Sequence, residues 1–142
     1  MKLFIHTDGG ARGNPGPAAV GVVIEEMQDE AGKRKEIAGF GKRIGETTNN
    51  VAEYTAVIEA LLWIKENKEH IAGEFHFYLD STLVVNQLNG LFKVKEAHLR
   101  ELLTKVRIAE EEVGGVVSYS YVPRAQNYRA DFFVNKALDA TV

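Results

Sequence analysis

The apolar and polar positions of this chain change period several times, and each change marks an element. The opening "KLFIHT", Lys2 to Thr7, reads as a strand that runs into Asp8-Gly9-Gly10. The paired glycines are expected to break it there and leave Asp8 at its carboxyl end. "VGVVIEEM", the polar "QDEAGK" and "KEIAGFGKRI" predict a hairpin, with glycines in its second strand that suggest bends or close backbone approach. At Thr47 the period becomes helical. "TTNNVAEYTAVIEALLWI" predicts a helix reaching Lys68, and after Gly73 "EFHFYLD" predicts a strand ending on Asp80. Ser81 or Asp80 caps a short helix, "TLVVNQL", which stops at Asn89-Gly90. A third helix carries Leu99, Leu102, Leu103, Val106 and Val113 on one face and ends at Gly114-Gly115. "VVSYSYV" is a fifth strand halted by Pro123, and "RADFFVNKALDA" a last helix.

The order β-β-β-α-β-α-α-β-α predicts an α/β fold with a mixed sheet, an antiparallel meander followed by strands that return through helices and so pair in parallel. The pattern does not fix the strand order. Open α/β sheets bind ligands beyond the carboxyl ends of their strands. Asp8 and Asp80 both end strands in this reading, and they meet if those strands are neighbours.

One residue offends the helical pattern. Glu53 shares a stripe with Ala56, Val57, Ala60, Leu61 and Ile64, because offsets of three, four, seven, eight and eleven lie on one face. A carboxylate where a core begins loses its solvation unless something pairs with it.

Composition narrows the choice of partner. The 142 residues, 45% hydrophobic, suit a single domain over 1–142 that buries its own core. No run of about 18 apolar residues and no leader-like segment is present, so neither a membrane span nor secretion is expected and the cytoplasm is the expected location. With no cysteine, disulfides, thiolate metal sites and thiol nucleophiles are excluded, and a metal would need oxygen or imidazole ligands. Seventeen basic against twenty acidic residues give a net charge of −3, so no global positive field recruits nucleic acid. A nucleic-acid partner needs a local argument.

That argument is the set of acids. Asp8, Glu53 and Asp80 converge if the strand ends and the helix start adjoin, and Asp131, opening the last helix after "PRAQNYRA", adds a fourth. Carboxylates that close repel unless protonated or bridged by a cation. All-oxygen ligation suits Mg²⁺ or Mn²⁺, and Mg²⁺ commonly shares its shell with phosphate oxygens. Each acid alone has an ordinary reading: Asp8 a turn residue, Asp80 a cap, Asp131 a partner of the helix dipole, Glu53 the third position of a capping box begun by Asn50. The constellation says more than its members.

These segments resemble type 1 ribonuclease H. "TDGGARGNPGPAAVG" is similar to that family's first-strand motif, "TNNVAEYTAVIEAL" to its Thr-Asn-Asn-x-x-Glu helix start, "YLDSTLVVNQL" to the segment with its third acid, and "NYRADFFVNKALD" to its Asn-x-x-Ala-Asp ending. The likeness runs from Met1 to Asp139. It implies a five-stranded mixed sheet flanked by helices and metal-dependent cleavage of the RNA strand of an RNA·DNA hybrid. Asp8, Glu53, Asp80 and Asp131 would then hold two ions, Mg²⁺ or Mn²⁺, with substrate bound. Products would carry 5′-phosphate and 3′-hydroxyl ends. The resemblance also implies that Asn14, Asn49 and Asn50 contact the minor groove, where the 2′-hydroxyl marks RNA, and that Thr48 contacts a DNA phosphate. A monomer is expected, and double-stranded RNA is a further substrate to test.

Two departures qualify the likeness. Many members have a catalytic histidine in the loop before the last acid; here "VPRAQNYRAD" has none, and Arg124 is the residue expected to contact a phosphate or assist product departure. Some members insert a basic, aromatic helix-loop; here that handle is missing, although Lys93, Lys95, Arg100, Lys105 and Arg107 against Glu96 and Glu101 leave a local +3. Thr82 also stands where many relatives have glutamine. His6 is expected to pack beneath the site on the face of Asp8, while His70, His76 and His98 show no partner in the sequence. The rival functions are a non-catalytic hybrid-binding module of the same fold and a phosphatase-like enzyme with Asp8 as covalent nucleophile, for which "TDGGA" lacks a second acid in Asp-x-Asp spacing.

Overall fold

A computed structural model describes residues 1–68 and 73–140, so the expectation for His70 falls outside the described residues. Strands β1 (Lys2–Ala11), β2 (Gly16–Met27) and β3 (Arg34–Thr47) form the antiparallel meander, and β4 (Glu74–Leu79) and β5 (Val116–Tyr121) join it in parallel, giving the order β3-β2-β1-β4-β5. Helix α1 (Asn49–Asn67) follows β3, α2 (Thr82–Leu88) and α3 (Ala97–Val113) lie between β4 and β5, and α4 (Tyr128–Asp139) closes the chain. The mixed α/β sheet is the one expected. No helix among the described residues is long and apolar enough to cross a membrane.

Period-two alternation assigns the faces. Leu3 and Ile5 of β1, Val22 and Ile24 of β2, and Phe75, Phe77 and Leu79 of β4 point into one core with Tyr54, Val57, Leu61 and Ile64 of α1, and α3 adds Leu99, Leu102 and Val106. On the opposite face α4 lies across β1, β2 and β3. It comes close because glycines leave room beneath it: a Cβ at Gly21 would lie 2.0 Å from the Ala130 carbonyl oxygen, and one at Gly41 2.2 Å from that of Phe133. Close backbone approach is therefore the role of Gly41 in β3.

Strand β1 corrects one expectation. It does not stop at Asp8 but continues through Gly9-Gly10 to Ala11, held by the pairs Gly9 with Val20 and Gly10 with Ala19. The glycines serve packing rather than termination. A Cβ at Gly9 would lie 2.2 Å from the Ala52 carbonyl carbon, so its absence lets the first turns of α1 press onto the strand.

Candidate active site

Strand register brings the first two acids together. The parallel β1–β4 ladder ends at the pair His6–Tyr78, and two residues beyond on each side come Asp8 and Asp80. Asp80 is not used as a cap, because the Ser81 hydroxyl takes that role by accepting the Val84 N–H at 3.3 Å.

Glu53 arrives from α1. The N-cap is Thr48, whose hydroxyl accepts the Val51 N–H at 3.3 Å, so the capping box from Asn50 to Glu53 does not form and the Glu53 carboxylate is left for the cleft. It is 7% exposed, and its Oε2 has no hydrogen-bond partner among the described residues. One carboxylate oxygen each from Asp8, Glu53 and Asp80 lies within 4.8 Å of the others. Asp131 is not in that tight group. It stands in the first turn of α4, lines the same cleft and is held by Asn135, whose side-chain amide donates to its carboxylate at 3.3 Å.

Electrostatics follow from this crowding. Burial foremost, then the carboxylates of Asp80 and Asp131, push Asp8 up to about 7. Burial foremost, then Asp8 and Asp80, raise Glu53 well above the usual carboxylate range. An unpartnered carboxylate oxygen buried beside two more acids is the donor set of a hard divalent cation, and the residues fit one.

The other expected site residues divide between two places. Arg124 lies on the rim of the acidic cleft, an opening of about 280 Å³; its side chain is exposed and makes no hydrogen bond or ion pair among the described residues. Asn49 lines the same cleft, and its Oδ1 accepts the Ala11 N–H at 2.8 Å. Asn14 accepts the Asn49 N–H at 2.9 Å, tying the loop after β1 to the start of α1. Both asparagines thus spend a carbonyl oxygen on the scaffold and keep an NH₂ group to offer. Asn50 faces elsewhere, into a groove lined by Leu83, Gln87, Phe92, Lys93, Lys95 and Leu99. Of the five basic residues behind the local +3, Arg100 is spent on the Lys95 carbonyl and Arg107 on Glu110 and the Leu88 carbonyl, Lys105 is exposed outside the groove, and Lys93 and Lys95 line it.

The histidines acquire partners that the sequence alone does not show. His76 contacts the Ser118 hydroxyl at 2.9 Å and stacks on Phe4, and His98 lies 3.6 Å from the Glu101 carboxylate at the surface. One further residue belongs to the site. Asn127, 1% exposed, contacts the Thr7 carbonyl, Asp80 and His6. Its position before a helix suggests a cap, yet its side chain makes no cap hydrogen bond. The signal for it in the sequence is its place as the Asn that opens the Asn-x-x-Ala-Asp segment.

Comparison with known proteins agrees with this geometry. A family model described as reverse transcriptase-like matches residues 6–137. An RNase H1 isolated from compost by a metagenomic approach is 44% identical, with a TM-score of 0.86 covering 97% of this chain and 96% of that one. The same protein has also been solved in complex with an RNA/DNA hybrid. Ribonuclease HI of Halobacterium salinarum is 39% identical over 145 residues, 97% of this chain and 65% of that protein. A bifunctional protein of Mycobacterium tuberculosis is 39% identical over 140 residues, 99% of this chain but 36% of its own length. The chain thus spans about a third of the mycobacterial relative and just under two thirds of the archaeal one. With its sheet order, its converging acids and these relatives, the chain belongs to the type 1 ribonuclease H family.

Proposed function

We propose that this chain is an endoribonuclease that hydrolyses the RNA strand of RNA·DNA hybrids and leaves 5′-phosphate and 3′-hydroxyl ends. The observation that carries the reading is the buried Glu53 oxygen without a partner, set beside Asp8 and Asp80. A fold that only binds hybrids has no reason to maintain such repulsion. Asp8, Glu53, Asp80 and Asp131 would hold two divalent cations, Mg²⁺ or Mn²⁺, with substrate bound. Bound there, such ions would supply the acidity that activates a water and positive charge beside the departing oxygen.

The chain's own residues do the rest. Asp8, nearly buried between the other acids, fixes the centre of the site. The NH₂ groups of Asn14 and Asn49 remain to meet minor-groove acceptors and the 2′-hydroxyl, which distinguishes the cleaved strand. Asn50, one residue further along α1, directs its contact into the neighbouring groove, where Lys93 and Lys95 bring positive charge. The hydroxyl proton of Thr48 stays available to a phosphate of the DNA strand while its oxygen caps the helix. Arg124 presents a permanent positive charge at the mouth of the cleft, suited to a phosphate rather than to proton abstraction.

The test is cleavage of an end-labelled RNA·DNA hybrid in Mg²⁺, Mn²⁺ or EDTA, with single-stranded RNA, double-stranded RNA and double-stranded DNA alongside. Internal cuts in the hybrid's RNA strand that disappear in EDTA and in Glu53→Gln are expected. Binding without cleavage under every metal condition favours the non-catalytic module instead, and a phosphorylated Asp8 favours the covalent mechanism.

A further inference from the structure

We infer that His6 is a positioning residue for the acidic site, acting through Asn127 to hold Asp80 and the start of α4 in place. The inference rests on the acidic cleft being a cation site. It concerns a layer of side chains one step beneath the acids.

Asn127 joins three segments that carry acids. Its Nδ2 donates to the carbonyl of Thr7, the residue before Asp8, at 2.9 Å, and reaches the Asp80 carboxylate at 3.5 Å. Asn127 itself immediately precedes α4, four residues before Asp131. With the amide NH₂ committed to two oxygens, Oδ1 faces the other way, and His6 Nδ1 lies 3.0 Å from it. An amide oxygen only accepts, so His6 carries its proton on Nδ1 and donates. Without that donor the Oδ1 of a residue 1% exposed loses its partner, at a cost that favours rotating the amide away from Asp80.

The imidazole is held in turn. It stacks on Tyr78, its cross-strand partner in the β1–β4 ladder, with ring centroids 5.1 Å apart and planes 27° apart. His6 lies two residues before Asp8 on β1, and Tyr78 two before Asp80 on β4. The stack therefore sits directly beneath the two acids on the same sheet face and passes their strand register up through Asn127. Groups that orient metal ligands in this way commonly change metal affinity or activity by about 10–100-fold when removed.

His6→Phe keeps a ring to stack on Tyr78 and removes the donor, whereas His6→Asn restores a donor close to the Nδ1 position. Mn²⁺ binding to the substrate-free protein, read from the electron paramagnetic resonance signal of free Mn²⁺, measures site geometry independently of cleavage. Hybrid cleavage, separated into kcat and KM, and a thermal melt are recorded in parallel. We expect His6→Phe to fold, to bind Mn²⁺ about tenfold more weakly and to lose kcat with KM unchanged. His6→Asn is expected to recover most of the loss. If the effect passes through Asn127, the double variant His6→Phe/Asn127→Ala is no weaker than Asn127→Ala alone. Should Asn127→Ala not fold, the contrast between His6→Phe and His6→Asn decides. A folded His6→Phe with wild-type Mn²⁺ affinity, or losses that multiply in the double variant, overturns the inference. Wild-type protein that neither binds Mn²⁺ nor cleaves the hybrid in Mn²⁺ overturns instead the cation reading on which it rests; if it cleaves without measurable substrate-free binding, the kcat contrast between His6→Phe and His6→Asn decides.

Discussion

Replacing Asp8 by asparagine removes one charge from the centre of the cluster while keeping the side chain's shape. In the wild type, burial first and the carboxylates of Asp80 and Asp131 next raise Asp8 from 3.8 to about 7. The raised value means that the folded chain keeps a proton that the unfolded chain releases at lower pH. The stability this provides is complete below 3.8, declines as pH rises and is gone above about 7. Each pKa unit is worth about 1.36 kcal/mol, and about two units lie between pH 5 and the folded value, so the metal-free protein should lose about 3 kcal/mol between pH 5 and pH 8. Glu53, also raised, adds to the decline in the same sense.

Urea denaturation in EDTA at closely spaced pH values measures this directly. Asp8→Asn has no proton to lose at that position, so its profile should be flatter and the variant more stable than the wild type at pH 8. Mn²⁺ should reverse the order, since a cation at about a hundred times its dissociation constant adds about 2.7 kcal/mol to whichever chain binds it. Parallel pH profiles in EDTA, or a variant less stable than the wild type at pH 8, would refute the account of the cluster as a destabilising site awaiting a cation.

Other outcomes follow from single contacts. Gly21→Ala places a Cβ 2.0 Å from the Ala130 carbonyl, so α4 must shift; a loss of about 1–3 kcal/mol in urea and reduced Mn²⁺ binding through Asp131 are expected. Thr7→Val removes a fully buried hydroxyl without a partner at nearly constant volume, and should raise stability by about 1 kcal/mol in the same assay. Arg124→Ala should leave the melting temperature unchanged, because the side chain is exposed and unbonded, and lower hybrid cleavage at least about tenfold in single-turnover assays. Tyr119→Phe removes the hydroxyl that donates to Glu110 at 2.5 Å and should cost about 1–3 kcal/mol without altering Mn²⁺ affinity.

Local pattern was enough for the element order because strands and helices here alternate cleanly in period, and Glu53 stood out because it interrupted an apolar stripe. What the pattern could not supply was the use of residues by distant partners. Gly9-Gly10 has the local signature of a strand end, yet β2 pairs with it and α1 presses against it, so the strand continues to Ala11. Asn50 has capping-box spacing to Glu53, yet Thr48 takes the cap, and the helix phase then turns Asn50 into a separate groove. Asn127 and His6 lie 121 residues apart in the chain, and no local window relates them. Asp131 has a reason to open a helix whatever its surroundings; only the glycines beneath α4 bring it to the other acids.

The same glycines explain why a costly cluster persists. Carboxylates repel least when they keep apart, and ordinary side chains at Gly9 and Gly21 would hold α1 away from β1 and α4 away from β2. Their absence draws helix backbones in from opposite faces of the sheet, so that Glu53 and Asp131 approach Asp8 from two sides while β4 delivers Asp80 from the third. Relaxation is blocked because each acid is tied to a separately packed element: Glu53 to a helix anchored by the fully buried Ala56, Val57, Ala60 and Leu61, Asp80 to the strand end clasped by Asn127, and Asp131 to α4. Packing of the core therefore maintains the repulsion, and a cation can relieve it without any element moving. Asp8→Asn and Gly21→Ala separate the two halves of this argument: the first should relieve the repulsion and keep the packing, while the second should disturb the packing and disperse the acids.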